Sequence, residues 1–499
     1  YVAAQRHAMD DFAPYAFKTT DFGKTWTSIV GNLPKDNYLH AIREDKKRKG
    51  LLYAATEKGV YVSFDDGAKW EAMQTNLPPT PVWDLVVHDN DLVAATHGRS
   101  FWILDDITPL QQYKPELAQA DVHLYTPGPA NHTTFGGGFF GSPFSGQNPP
   151  NGAVIYYSLK TAIKQEKKPA GAGANGGAAG ASPSQAAAGE AKAAAAGSKE
   201  QPGAAGEKPS APQGTAPETA KAEGEKEKPA PVTLEILDQQ GKVIRKYPAK
   251  RQDSDGGPGE EEGFGRPPER GLPTEAGLNR FVWDMRYEGA SRVPRSPLWG
   301  GSTDGPQAVP GQYQVRLTVQ GKSYTAPLQI VPDTRLKATQ ADLQKQLDLL
   351  LKIRGSVTQA HDAINQIREV RGQIEAMNKR LTGQPQAKAV ADAGKALDKK
   401  MTEVEEVLIQ TKAKSGQDVL NYPIRLNNYL VALGGVVESA DTQPTQASID
   451  VYNMLSKQLD EQMAKWKQIL ATDIPAYNDL VKKQDVPAIV LKKDEDKGQ

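Results

Sequence analysis

The sequence predicts a multidomain chain, mainly β and then α: partial β-propeller blades, then a β-sandwich carrying a long disordered insertion, then a C-terminal helical bundle. Three observations predict it. A turn sequence recurs after 44 residues, from Asp21 to Asp65, with short apolar strands on either side. Strand-like runs then flank a stretch, residues 164–231, that holds no Val, Ile, Leu, Met or aromatic residue. From Thr339 onward the apolar spacing becomes helical.

The repeated turn reads Thr19-Thr20-Asp21-Phe22-Gly23-Lys24-Thr25-Trp26 and Ser63-Phe64-Asp65-Asp66-Gly67-Ala68-Lys69-Trp70. An Asp in such a turn accepts hydrogen bonds from N–H groups of its own loop. Gly23 and Gly67 suit a positive φ that a Cβ would penalise. Thr19 and Ser63 end one strand. Trp26 and Trp70 open the next and offer a large area to bury between neighbouring sheets. Asp21 and Asp65 are therefore expected to build turns, not to do chemistry.

Around the turns, Tyr38-Leu39-His40-Ala41-Ile42-Arg43-Glu44-Asp45 aligns with Val82-Trp83-Asp84-Leu85-Val86-Val87-His88-Asp89. Leu52-Tyr53-Ala54-Ala55-Thr56 aligns with Leu92-Val93-Ala94-Ala95-Thr96, and Val60-Tyr61-Val62-Ser63 with Ser100-Phe101-Trp102-Ile103. Each run is apolar, aromatic or β-branched and is bounded by turn formers, hence a strand. A repeat of this kind points to propeller blades. Residues 1–112 would then hold one complete blade, over 38–73. The blade before it lacks its opening strand. The blade after it ends at Ile103-Leu104-Asp105-Asp106, where no Gly or Trp follows and the fourth strand is missing. The expectation is the C-terminal part of a longer protein, with exposed strand edges.

Both turns fit Ser/Thr-x-Asp-x-Gly-x-x-Trp, which closely resembles the Asp box of the BNR-repeat β-propellers of sialidase-like and sortilin-like proteins. The run Thr96-His97-Gly98-Arg99-Ser100-Phe101-Trp102-Ile103-Leu104-Asp105-Asp106 resembles the terminal-blade signature of bacterial Asp-box proteins related to the sortilin N-terminal domain, often labelled glycosyl hydrolases. The resemblance is specific over residues 1–110. It implies a larger closed ring and a secreted, extracellular or periplasmic location. It implies a peptide- or glycan-binding module, since sortilin-like rings bind peptides without chemistry. The alternative it implies is a sialidase-like or xyloglucanase-like glycoside hydrolase, whose arginine triad, Tyr and acidic residues would lie mostly in other blades.

Residues 113–334 read as one β domain. Its strands are Asp121-Val122-His123-Leu124-Tyr125, Ala153-Val154-Ile155-Tyr156-Tyr157-Ser158-Leu159 and Val232-Thr233-Leu234-Glu235-Ile236-Leu237, then runs at 242–247, 279–287, 311–319 and 322–331. Their number and length suggest an immunoglobulin-like or fibronectin-like sandwich. The stretch 164–231 has nothing to bury and is expected to be disordered; loop closure costs little extra for such length. Residues 251–275 read as a second flexible loop. Residues 335–485 read as a bundle. Thr339 with Asp342 makes a cap, and Leu343, Leu347, Leu350, Val357, Ile364, Ile367, Ile374 and Leu381 stripe a long helix. Further helices are expected over 386–412, after Pro423 and over 445–470. A coiled-coil arm is the alternative, and these helices are the expected place for a protein partner. Residues 486–499 form a charged tail.

Lys plus Arg equals Asp plus Glu, at 60 each, which argues against nucleic-acid binding driven by net charge. There is no Cys, so disulfide, thiolate and Cys–zinc chemistry are excluded. No apolar run is long enough to span a membrane. Arg6-His7-Ala8-Met9-Asp10-Asp11 joins a cation, a base and two carboxylates in a loop or hairpin tip. Paired carboxylates divide acid and base roles when their pKa values are driven apart, and glycoside hydrolysis needs two at a set separation. Adjacent strand residues point to opposite faces, which weakens Asp10 with Asp11. His97 and Arg99 form the second cluster. Arg99 is expected to bind an anion or to pair with Asp105 or Asp106. No HExxH, Walker A or Gly-x-Ser-x-Gly pattern occurs. Gly136-Gly137-Gly138-Phe139-Phe140-Gly141 reads as a loop and Asn131-His132-Thr133 as a chance sequon. No cofactor or metal is expected.

Overall fold

The computed structural model of the protein describes residues 1–133, 146, 148–163, 231–248, 271–385 and 387–484. The expected insertion up to residue 230, the glycine run at 136–141, most of the 251–275 loop and the charged tail lie outside these residues. Several β-sheets come first and helices last.

Three small antiparallel sheets follow one another. The first is β1 (Val2–Arg6), β2 (Asp11–Lys18) and β3 (Thr27–Ser28). The second has four strands, β4 (Leu39–Glu44), β5 (Leu52–Thr56), β6 (Gly59–Ser63) and β7 (Glu71–Ala72). The third is β8 (Val82–His88), β9 (Asp91–Thr96) and β10 (Phe101–Leu104). Every residue of β5 is buried, because its alternate side chains enter two different cores. Leu52 and Ala54 join Ala16, Leu33 and Trp70 on one side. Tyr53 and Ala55 join Val82, Leu85 and Leu92 on the other. A strand covered on both faces loses polar alternation.

The inner-strand alignment is off by one residue. Leu39 pairs with Thr56 and Val82 pairs with Thr96, so Leu39 corresponds to Val82, not to Trp83. Each ladder then breaks at a bulge, between Leu39 and Ala41 and between Val82 and Asp84. His40 and Trp83 are the bulged residues. The first hairpin breaks likewise between Ala4 and Arg6. A short helix, α1 (Thr108–Gln112), follows the third sheet in place of a fourth strand.

Two further sheets are built from β11 (Val122–Leu124), β12 (Ala130–Asn131), β13 (Ala153–Leu159), β14 (Val232–Leu237), β15 (Val243–Pro248), β16 (Gly277–Trp283), β17 (Gly311–Val319) and β18 (Lys322–Val331). One has the order β11-β13-β16 and the other β12-β18-β17-β14-β15. Both feed one hydrophobic core around Ile155, Tyr157, Leu234, Trp283 and Leu317. Tyr313, Val315, Leu317 and Val319 are buried on β17, as their alternation predicts. The end of the expected 251–275 loop is anchored instead: Leu272 is buried and donates its N–H to the Pro248 carbonyl at 3.1 Å.

The C-terminal helices are α2 (Gln340–Arg380), α3 (Ala387–Leu408), α4 (Leu426–Val437), α5 (Gln446–Gln468) and α6 (Ile474–Lys483). Thr339 caps α2 in a capping box with Asp342. Ile364, Ile367, Met401, Leu430 and Leu459 share one core with Trp466. The last helix does not stop near 470; a π-turn at Ile469–Asp473 carries it into α6. Among the described residues no helix is long and apolar enough to cross a membrane.

Candidate functional site

The two Asp turns have the same wiring. The Thr25 N–H donates to Asp21 Oδ1 at 2.9 Å, and the Lys69 N–H to Asp65 Oδ1 at 2.8 Å. The hydroxyls of Thr19 and Ser63 donate to the same carboxylates and accept from the N–H groups of Gly23 and Gly67 at 2.9 Å. Gly23 and Gly67 have φ of 88° and 89°. Their predecessors Phe22 and Asp66 are also left-handed, at 60° and 63°, which the sequence did not announce. Asp21 is held down to about 2 by hydrogen bonds from Thr25 and Thr19. Both Asp side chains are consumed by their turns.

The tryptophans part company. Trp70 is 2% exposed; its indole N–H donates to the Ile29 carbonyl at 2.8 Å. Trp26 is 48% exposed, contrary to the expected burial. Trp70 is covered by the linker leaving the preceding sheet, and among the described residues no linker covers Trp26 in this way.

A continuous line of rings crosses the three sheets. His7 stacks on Tyr38 at 4.8 Å, and Tyr38 meets His40 at 5.2 Å. His40 stacks on Trp83 at 6.0 Å, and Trp83 stacks on His97 at 4.5 Å. Phe12 approaches Tyr38 at 6.2 Å. The bulges explain the line: each inserts one residue and re-aims its side chain. The Gln5 amide lies 3.1 Å from His40 Nδ1, and Glu57 Oε2 lies 2.9 Å from His40 Nε2. The amide nitrogen is a donor, so Nδ1 accepts and Nε2–H donates to Glu57. Burial, then the Glu57 carboxylate, raises the Tyr38 hydroxyl pKa. Tyr38, His40 and Glu57 thus form a fixed floor, while Trp83 is 55% exposed and His7 and His97 are exposed at the ends.

The structure therefore brings His7 and His97 onto one surface through three residues, Tyr38, His40 and Trp83, not singled out from sequence. The signal that would have found them is the bulge, which depends on strand pairing and has no mark in the residue types. Arg6 and Asp11 face each other across the β1–β2 hairpin end at 3.2 Å. The Tyr15 hydroxyl also donates to Asp11 at 2.7 Å; that bond, the Ala13 N–H and Arg6 lower its pKa. Asp10 is exposed at φ 57°, closing the short turn that carries His7. Asp11 is thus a tied, ionised carboxylate.

Arg99 does not take the expected partner. Its side chain is exposed and, among the described residues, in no ion pair, while its carbonyl accepts from the Trp102 indole at 2.9 Å. The cation acting on Asp105 and Asp106 is Arg280 of β16. Burial raises both carboxyls and Arg280 opposes it. Asp106 accepts from the Thr108 hydroxyl at 2.6 Å and from its N–H at 3.1 Å, so it turns the chain into α1. Among the described residues no three His, Asp or Glu side chains converge as metal ligands.

No protein-family model, no curated protein and no solved structure matches this chain. The ring line and the repeated turns therefore carry the functional argument by themselves.

Proposed function

We propose that the chain belongs to a secreted or periplasmic Asp-box β-propeller protein, with propeller blades followed by an immunoglobulin-like sandwich and a helical bundle, and that it binds a glycan or peptide along the ring line. The observation that carries the reading is the run from His7 through Tyr38, His40 and Trp83 to His97. Neighbouring apolar rings with polar edges suit a ligand that alternates hydroxyl or amide groups with C–H faces. Exposed aromatic surface on a fixed floor is also what a recognition surface needs. The hydrolase alternative gains no such support, since Asp11 is tied to Arg6 and Tyr15 and Asp106 holds Thr108.

The test is calorimetric titration of the full chain with oligosaccharides and with extended peptides. Trp83→Ala is expected to weaken binding by about 1–3 kcal/mol, or roughly five- to 150-fold. Its fold should persist because the ring is 55% exposed. Unchanged affinity in Trp83→Ala, or glycan turnover that depends on Asp10 or Asp11, would sink the proposal.

A further inference from the structure

The linkers leaving the first and second sheets are copies of one another. Ile29, Gly31, Asn32 and Leu33 recur 44 residues on as Met73, Thr75, Asn76 and Leu77. Their backbones agree. The Ile29 N–H donates to Ala16 at 2.9 Å, and the Met73 N–H to Val60 at 2.8 Å. Gly31 and Thr75 have φ of 48° and 42°. A Thr held in the left-handed region is evidence that the surroundings dictate this shape.

In the first copy the linker is one wall of a tryptophan socket. Asn32 brackets the backbone of Trp70, accepting its N–H at 2.7 Å and donating to its carbonyl at 3.0 Å. The Ile29 carbonyl takes the indole N–H at 2.8 Å. Ala16, Leu33, Leu52 and Ala54 pack with the ring in one core. The strand that Trp70 opens, β7, pairs with Tyr61 and Val62 of β6.

In the second copy the equivalent positions line a cavity. Its walls include Val60, Met73, Leu77, Leu92 and Ala94, the counterparts of Ala16, Ile29, Leu33, Leu52 and Ala54. Among the described residues no hydrogen bond reaches the Met73 carbonyl, and the Asn76 side chain accepts only from the Thr75 hydroxyl at 3.4 Å. The strand beside it, β10, is an edge. Its Trp102 and Ile103 stand where Tyr61 and Val62 stand on β6, one residue on from the sequence alignment, and Phe101 and Ile103 are 75% and 57% exposed. An unpaired apolar edge invites an added strand.

We propose that this cavity and the β10 edge are a docking site for one extended peptide strand that opens on tryptophan, Gly-x-x-Trp-x-x, added in trans. The indole enters between Leu77 and Ala94 and donates to the Met73 carbonyl. Asn76 brackets the tryptophan backbone, and the two following residues pair with Ile103 and Trp102, as Glu71 and Ala72 pair with Val62 and Tyr61. The site lies at the edge of the third sheet and uses none of the rings proposed to hold a ligand. A second copy cannot fill it with Trp26-Thr27-Ser28, because Thr27 and Ser28 already pair with β2 at Lys18 and Phe17.

The experiment is fluorescence polarisation of the full chain with a labelled peptide of sequence Asp-Asp-Gly-Ala-Lys-Trp-Glu-Ala-Met, copied from residues 65–73. Saturable binding is expected. Replacing the peptide's Trp by Ala should abolish it. Asn76→Ala should weaken it about five- to tenfold, as expected for losing a bracketing hydrogen-bond pair. Ala94→Phe, which fills the cavity, should block it while circular dichroism is unchanged. No binding up to about 1 mM peptide, the limit of a useful affinity, overturns the proposal. So does equal binding of the alanine peptide, or of both protein variants. Concentration-dependent self-association that the peptide does not displace would assign the edge to a second copy, and would overturn it too.

Discussion

Trp26 and Trp70 occupy the same place in the same motif, and the structure predicts very different costs for losing them. Trp70→Ala removes a ring that is 2% exposed and packed on Ile29, Leu33 and Ala54, and it deletes the indole bond to the Ile29 carbonyl. Removing a buried Trp from a core costs about 3–5 kcal/mol, and the orphaned carbonyl adds about 1 kcal/mol. Trp26→Ala removes a ring that is 48% exposed and should cost no more than about 1 kcal/mol, the range of surface changes. Hydrogen exchange on the full chain reads the difference locally. About 4 kcal/mol is roughly a thousandfold in the opening constant of the second sheet. The amides of β5 and β6 should therefore lose protection in Trp70→Ala and keep it in Trp26→Ala. Equal losses in the two variants, or none in Trp70→Ala, would refute the claim that the linker, and not the motif, supplies the stability.

Two more predictions follow from buried or tied carboxylates. Asp21 has its carboxyl held down to about 2 by the Thr25 and Thr19 bonds, against an ordinary 3.8. A depressed folded value means the first turn is fully stabilised above the ordinary value and loosens as pH falls through about 2; exchange of the Thr25 amide in an acid titration should follow that curve, and loosening already complete at pH 4 would contradict it. Glu405 is buried on α3 between Arg368 at 2.9 Å and Arg371 at 2.7 Å. Glu405→Ala strands Arg368 and leaves Arg371 with Asp398 alone, and it should lower stability to denaturant by about 2–4 kcal/mol; a loss within that of an ordinary surface change would show that water already carries the charges.

Much of the architecture was legible because it rests on local rules. The capping box at Thr339, the positive φ at Gly23 and Gly67, and the alternation along β17 each involve residues a few positions apart, and each is where the sequence placed it. The end of the last helix was not, since the π-turn at Ile469–Asp473 carries the helix past a boundary that composition suggested. Nor was the cation that acts on Asp105 and Asp106. Arg99 is near in sequence, but the charge that opposes the burial of these carboxyls is Arg280, on a strand far along the chain.

By itself, the sequence determined the order of β and α regions, the turn chemistry of Asp21 and Asp65 and the 44-residue repeat, because propensity, glycine geometry and side-chain capping act within one turn or strand. Tertiary structure alone decided which Trp is buried, which residues sit on bulges and which rings share a surface. Those outcomes depend on strand register and on what an adjacent sheet offers. A one-residue slip in pairing, such as the one that aligns His40 with Trp83, changes every side chain's face. That slip puts the rings of His40 and Trp83 between His7 and His97 in one line, and the first linker covers a Trp where its copy lines a cavity.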